Sequence, residues 1–187
     1  MKNYILSFLF AVSFYTVSAQ SFDGVPISGD LPTAVAKFKA KGYTIRKYVE
    51  NGVILDGKVA SRNIELFVFV TPKTKKLFKV VAYFDEEISW MSLKSTYEVF
   101  YDILTEKYGY PDAKYNKFID PYYEGDGYEL QAVGVEKAIF SSYWFRKDNL
   151  TVALEISKYK QVSLTYENNI MMELKKKEQA EIEMRAF

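Results

Sequence analysis

The sequence predicts an α+β fold: one curved antiparallel sheet of about eight strands, built from two helix-plus-meander halves with the helices on one face. Three observations lead there. Short strand-like runs follow one another with turns far too short for a parallel crossover, so neighbours must be antiparallel. Two apolar stripes at helical spacing each precede such a series of runs. The composition is aromatic, with 16 tyrosines and 14 phenylalanines, residue types that favour the pleated surface of strands.

Taken in order, residues 22–28 read as a short edge strand, because Pro26 lacks the amide donor a central strand needs. Asp30 is a capping residue for a helix over 31–41. Pro32 sits in its first turn, Leu31, Val35 and Phe38 form its apolar side, and Gly42 is its stop. Four strands follow over 43–50, 53–61, 64–71 and 77–85. Asn51-Gly52 between the first two signals a two-residue hairpin turn with both residues at positive φ. Residues 89–108 form the clearest helix, with Trp90, Leu93, Tyr97, Phe100, Tyr101, Leu104 and Tyr108 on one stripe and Gly109 and Pro111 as the stop. A second strand set is expected over 114–119, 138–146, 150–158 and 162–168. Residues 120–137 read as a loop with one short helical turn near 129–133. Asn168 or Asn169 caps a last helix reaching Phe187, whose apolar stripe is weak.

The first nineteen residues carry a separate signal. Lys2 precedes an apolar core from Tyr4 to Val12, and Val17 and Ala19 place small residues where a signal peptidase reads. The core is too short for a spanning helix. The expectation is an exported chain, periplasmic or secreted, cleaved after Ala19 and without a stable membrane anchor. Residues 20–187 then form one domain, with pseudo-halves 20–86 and 87–169 and a last helix over 170–187.

Composition excludes several chemistries. Loss of Lys2 with the leader leaves basic and acidic residues equal in number, a formal net charge of zero. Nucleic-acid and anionic-membrane binders need a basic excess, so neither partner is expected. The chain has no cysteine, hence no disulfide, no thiolate nucleophile and no lipidated cysteine. It has no histidine, the usual general base near neutral pH and the commonest metal ligand. No enzyme, catalytic residue, metal site or cofactor is therefore expected.

The order of elements resembles the duplicated helix-plus-meander folds of the β-lactamase-inhibitor-protein type and the TATA-binding-protein saddle. Residues 24–42, GVPISGDLPTAVAKFKAKG, are similar to the start of small exported bacterial proteins of uncharacterised function. The resemblance implies a saddle whose open sheet face contacts a partner. It carries no functional residue across.

Strand alternation sorts the faces. Ile64, Leu66, Val68 and Val70 should face the helices, together with Phe78, Val80, Ala82 and Phe84, and Leu150, Val152, Leu154 and Ile156. The opposite face then carries Glu65, Phe67, Phe69, Thr71, Lys79, Val81 and Tyr83. Phe67 and Phe69 are the anomaly, since a solvated face rarely sets two phenylalanines in one strand. They are either a contact patch or covered by the 120–137 loop or the last helix; cover is the expectation, because large exposed apolar patches are uncommon.

The second candidate is the run Asp120-Pro-Tyr-Tyr-Glu124-Gly-Asp126-Gly-Tyr128-Glu129. It fails the EF-hand pattern, because Tyr122 stands where an oxygen ligand belongs and Gln131 replaces the bidentate glutamate. A different calcium geometry and a carboxylate pair for sugar hydrolysis are weaker alternatives to a solvated loop. The candidate partner-binding residues are Phe67, Phe69, Tyr83, Tyr122, Tyr123 and Tyr128. The expected function is a non-catalytic exported binding module for a protein or peptide, with inhibitor-like action in view. The alternatives are a glycan-binding or carboxylate-dependent glycan-cleaving protein, and an envelope assembly or structural factor.

Overall fold

The computed structural model describes residues 20–185. The leader and the cleavage position after Ala19 lie outside the described residues. The chain is α+β, with an eight-stranded antiparallel sheet, a two-stranded sheet and four helices among the described residues.

The segment expected as one edge strand is a hairpin, β1 (Ser21–Phe22) paired with β2 (Val25–Pro26). Asp23 and Gly24 both take positive φ and fold it back. In α1 (Leu31–Ala40) the Asp30 carboxylate accepts from the Thr33 amide at 2.9 Å, and Ala34, Val35 and Phe38 are buried. Two meanders follow. The first is β3 (Thr44–Val49), β4 (Gly52–Val59), β5 (Arg62–Val70) and β6 (Leu77–Phe84). After α2 (Trp90–Tyr108), the second is β7 (Ala113–Phe118), the short α3 (Glu129–Gly134), β8 (Ala138–Phe145), β9 (Leu150–Ile156) and β10 (Val162–Asn168), which leads into α4 (Asn169–Met184). The sheet runs β3-β4-β5-β6-β10-β9-β8-β7. The last strands of the two meanders therefore meet antiparallel at its centre, with Thr165 opposite Val81.

The helix stripes cause this layering. All seven residues of the α2 stripe join the core. Ser89 caps its start by accepting from the Ser92 amide, and Gly109, at φ 84°, ends it in a conformation a side chain would strain. Across from α1 and α2, alternate residues of the strands are buried, among them Leu55, Leu66, Val80, Ala82, Val152 and Leu154.

Two local expectations are corrected. The β3–β4 turn is Glu50-Asn51, because Val49 pairs with Gly52, and neither turn residue has positive φ. Gly52 is required for another reason: a Cβ there would stand 2.1 Å from the Val68 carbonyl oxygen of β5. Gly52→Ala should therefore cost ~1–3 kcal/mol through overpacking. A urea midpoint indistinguishable from the parent would show that β5 yields without strain. The second correction is Phe78. A register shift between Phe69 and Val70 sets Leu77 opposite Val70, so Leu77 takes the core position. Phe78 packs instead on the Phe69 ring, with centroids 6.3 Å apart.

α4 leaves β10 toward the face opposite α1 and α2. The Thr151 hydroxyl of β9 donates to Asn169 Oδ1 at 3.0 Å, and the helix then packs over β10 and β6. Its far half is held by Glu178, 4% exposed, which accepts from the Lys73 amide at 2.6 Å, the Thr74 amide and the Thr74 hydroxyl in the β5–β6 turn. Burial would raise this carboxyl, but those donors outweigh it and hold it below the ordinary carboxylate value. A lowered folded pKa gives stability that is complete above the unfolded value of ~4.3 and is lost as pH falls through the folded one. Glu178→Gln should weaken α4 docking by ~1.5–3 kcal/mol, read as faster hydrogen exchange of α4 amides. Unchanged protection would mean that the helix is held elsewhere.

Candidate binding face

Cross-strand register lays three parallel rows on the face opposite α1 and α2. The first is Gly52, Phe69, Lys79, Glu167, Thr151 and Phe145. The second is Ile54, Phe67, Val81, Thr165, Ala153, Tyr143 and Ala113. The third is Asp56, Glu65, Tyr83, Ser163, Glu155, Ser141 and Tyr115.

The two halves of this face differ in what they carry. On β5 and β6, Phe67 stacks on Phe69 at 6.1 Å and meets Tyr83 edge-on at 5.5 Å. These three candidates come together as one half-buried aromatic cluster, with the buried Ile54 and Val81 flanking Phe67 in its row. At its rim, a register shift between Ile45 and Lys47 accompanies a fork in which Arg46 bridges Asp56 and Glu65, each at 2.6 Å.

On β8 to β10 the floor is small: Ala153, Thr151, Thr165 and Ser163. One wall is aromatic. Tyr143 stacks with Phe145 and meets Tyr115 edge-on, each at 6.4 Å, and Phe145 and Tyr115 are 58% and 50% exposed. Lys79, paired with Glu167 at 3.5 Å, stands opposite. Except for Ser163, these residues line a hollow of about 720 Å³; Glu155 and Tyr143 divide it from a neighbouring hollow of about 370 Å³, which Ser163 lines. The Tyr143 hydroxyl donates to Glu155 Oε1. Burial first, and then this bond to a carboxylate, raise the Tyr143 phenol; burial and the Glu155 charge raise that of Tyr83. Both remain hydrogen-bond donors at neutral pH.

The other three candidates lie elsewhere. Tyr122 packs against the core on the helix side, and Glu124 is bonded to Lys94 of α2. The loop is thus not the cover of Phe67 and Phe69, contrary to one sequence expectation; α4 approaches that face instead, at its β6 end. Tyr123 and Tyr128, 64% and 60% exposed, line a hollow of about 400 Å³ with Pro121, Tyr122, Asp126 and Gln131. No described residue lines both this hollow and the sheet groove. The loop carboxylates turn inward: Asp126 accepts from the Tyr123 and Tyr128 amides and Glu129 from the Gly125 amide. Among the described residues no cluster of three acidic, histidine or cysteine side chains is placed to hold a metal ion.

Tyr115, Tyr143, Phe145 and Glu155 were not singled out by sequence reasoning. The signal was available in the alternation of Ser141, Tyr143 and Phe145 against Phe140, Ser142 and Trp144, the second set being buried.

Comparison with protein-family models, with curated proteins and with solved structures finds no match for this chain.

Proposed function

We propose that this chain is an exported, non-catalytic binding module that takes a protein or peptide partner on the β8–β10 half of its open sheet face. The observation that carries the reading is the groove itself: exposed tyrosine and phenylalanine walls over a floor of alanine and threonine. Tyrosine combines apolar area with a polar tip and is enriched where proteins bind proteins. Missing histidine and cysteine argue against catalysis, and the leader-like residues 1–19 support export.

The test is capture from the native envelope with the parent protein and with the Tyr143→Ala/Phe145→Ala double variant. The parent should retain a dominant protein that the variant loses, while far-UV circular dichroism stays unchanged. Equal capture by both would remove the groove from the reading. Intact mass of the exported protein should begin at Gln20.

A second reading is supported by the Tyr123–Tyr128 hollow, where two exposed rings flank Asp126 and Gln131. That arrangement suits a sugar stacked on aromatic faces. Retention on glycan beads, lost in Tyr123→Ala/Tyr128→Ala, would favour it over the groove.

A further inference from the structure

We propose that the sheet groove selects a cationic side chain, lysine or arginine, presented by an extended basic segment of the partner, with Glu155 as its counter-ion and Tyr115 and Tyr143 as its ring walls. The proposal rests on the binding-face reading above and adds the chemistry of what is bound. Glu155 stands in its row between two serines, Ser163 and Ser141, so nothing bulky shields its carboxylate from either side. Tyr115 closes the row beyond Ser141, and Tyr83 follows Ser163 on the other side.

The other acids on this face are already matched. Asp56 and Glu65 share Arg46, and Glu167 holds Lys79. Glu155 alone among the four makes no ion pair with a described residue. Its Oε1 accepts from Tyr143, and Oε2 accepts from no described donor. The lining of the larger hollow holds Lys79 against Glu155 and Glu167, leaving one negative charge over.

A partner that covers this groove must remove water from Glu155. An apolar or acidic partner would leave that charge uncompensated, which is costly. An ammonium or guanidinium would instead gain a charge-assisted hydrogen bond and lie against tyrosine faces. The aliphatic stem of such a side chain fits the Ala153–Thr165 floor, with its charged head at Glu155. A small free cation would use the carboxylate but leave Phe145 and the rest of the hollow bare, so a peptide is the better match.

Three ten-residue peptides of one Gly/Ser/Leu background, with lysine, norleucine or glutamate at the two central positions, test this by NMR titration of isotope-labelled protein. The lysine peptide should shift the amides of Tyr115, Tyr143, Ala153 and Glu155 and bind at least tenfold tighter than the norleucine peptide. Glu155→Gln should abolish that difference. In the parent protein the lysine advantage should also shrink between low and high salt, a readout that needs no variant to fold. Equal affinity for lysine and norleucine peptides would overturn the proposal while leaving the binding-face reading intact. A lysine preference that survives Glu155→Gln, or binding of none of the three, would overturn it too. The binding-face reading falls separately, if Tyr143→Ala/Phe145→Ala still captures the native partner.

Discussion

Trp144→Ala should lower the free energy of unfolding by ~3–5 kcal/mol, a large share of the ~5–15 kcal/mol typical of a domain. Trp144 is 1% exposed, on the core face of β8. Its ring lies against Tyr101 of α2 at 6.2 Å, and its indole nitrogen donates to the Gly109 carbonyl at 2.8 Å, where α2 ends. Truncation would open a cavity and also release the end of α2 from the second meander. With a urea slope of ~1–3 kcal/mol/M, the midpoint should fall by one molar unit or more. Trp144→Phe keeps an aromatic ring but loses the indole donor and part of the buried ring volume, so it should cost ~1–3 kcal/mol, less than alanine. A Trp144→Ala midpoint within error of the parent would mean that β8 and α2 are not joined as described.

Leu104→Ala should cost ~2–5 kcal/mol. Leu104 is 2% exposed on the buried stripe of α2, one helical turn beyond Phe100, which packs on Phe84 of β6 at 4.2 Å. Glu106, two residues on and exposed, should tolerate alanine within ~0.5 kcal/mol. The pair is a test of orientation: helix propensity favours both changes alike, so only burial separates them. Similar midpoints for the two variants would place the wrong side of α2 against the sheet.

What could be read in advance follows the range of the interactions involved. The α2 stripe, the order of elements and the placing of Phe67, Phe69 and Tyr83 on one face depend on local periodicity, and strand and helix periods are visible in one stretch of chain. Asn51-Gly52 misleads because Gly52 answers to Val68, a residue on another strand. Phe78 misleads because a register shift breaks the alternation that the rule assumes. Tyr115, Tyr143 and Glu155 belong to three separate strands, and only the β7–β8–β9 register makes them neighbours. The carboxylates of the 120–129 run look like ligands in sequence; in the fold, Asp126 and Glu129 are bound to the amides of their own loop.

The meeting of β6 with β10 at the centre of the sheet has a consequence for how the chain reaches its fold. Lys79 pairs with Glu167 and Tyr83 with Ser163, so the middle of the sheet closes only when the last strand arrives. Until then β6, with its sequence LFKVVAYF, presents an unpaired and largely apolar edge. Such an edge is a template for pairing with another chain, and long-range strand pairing is slow to form. A chain emerging from its N-terminus completes the first meander well before residues 162–168 exist as a partner. The vulnerable species is thus the half-made molecule, and a companion that shields β6 during that interval would raise the yield of folded protein without altering its final stability.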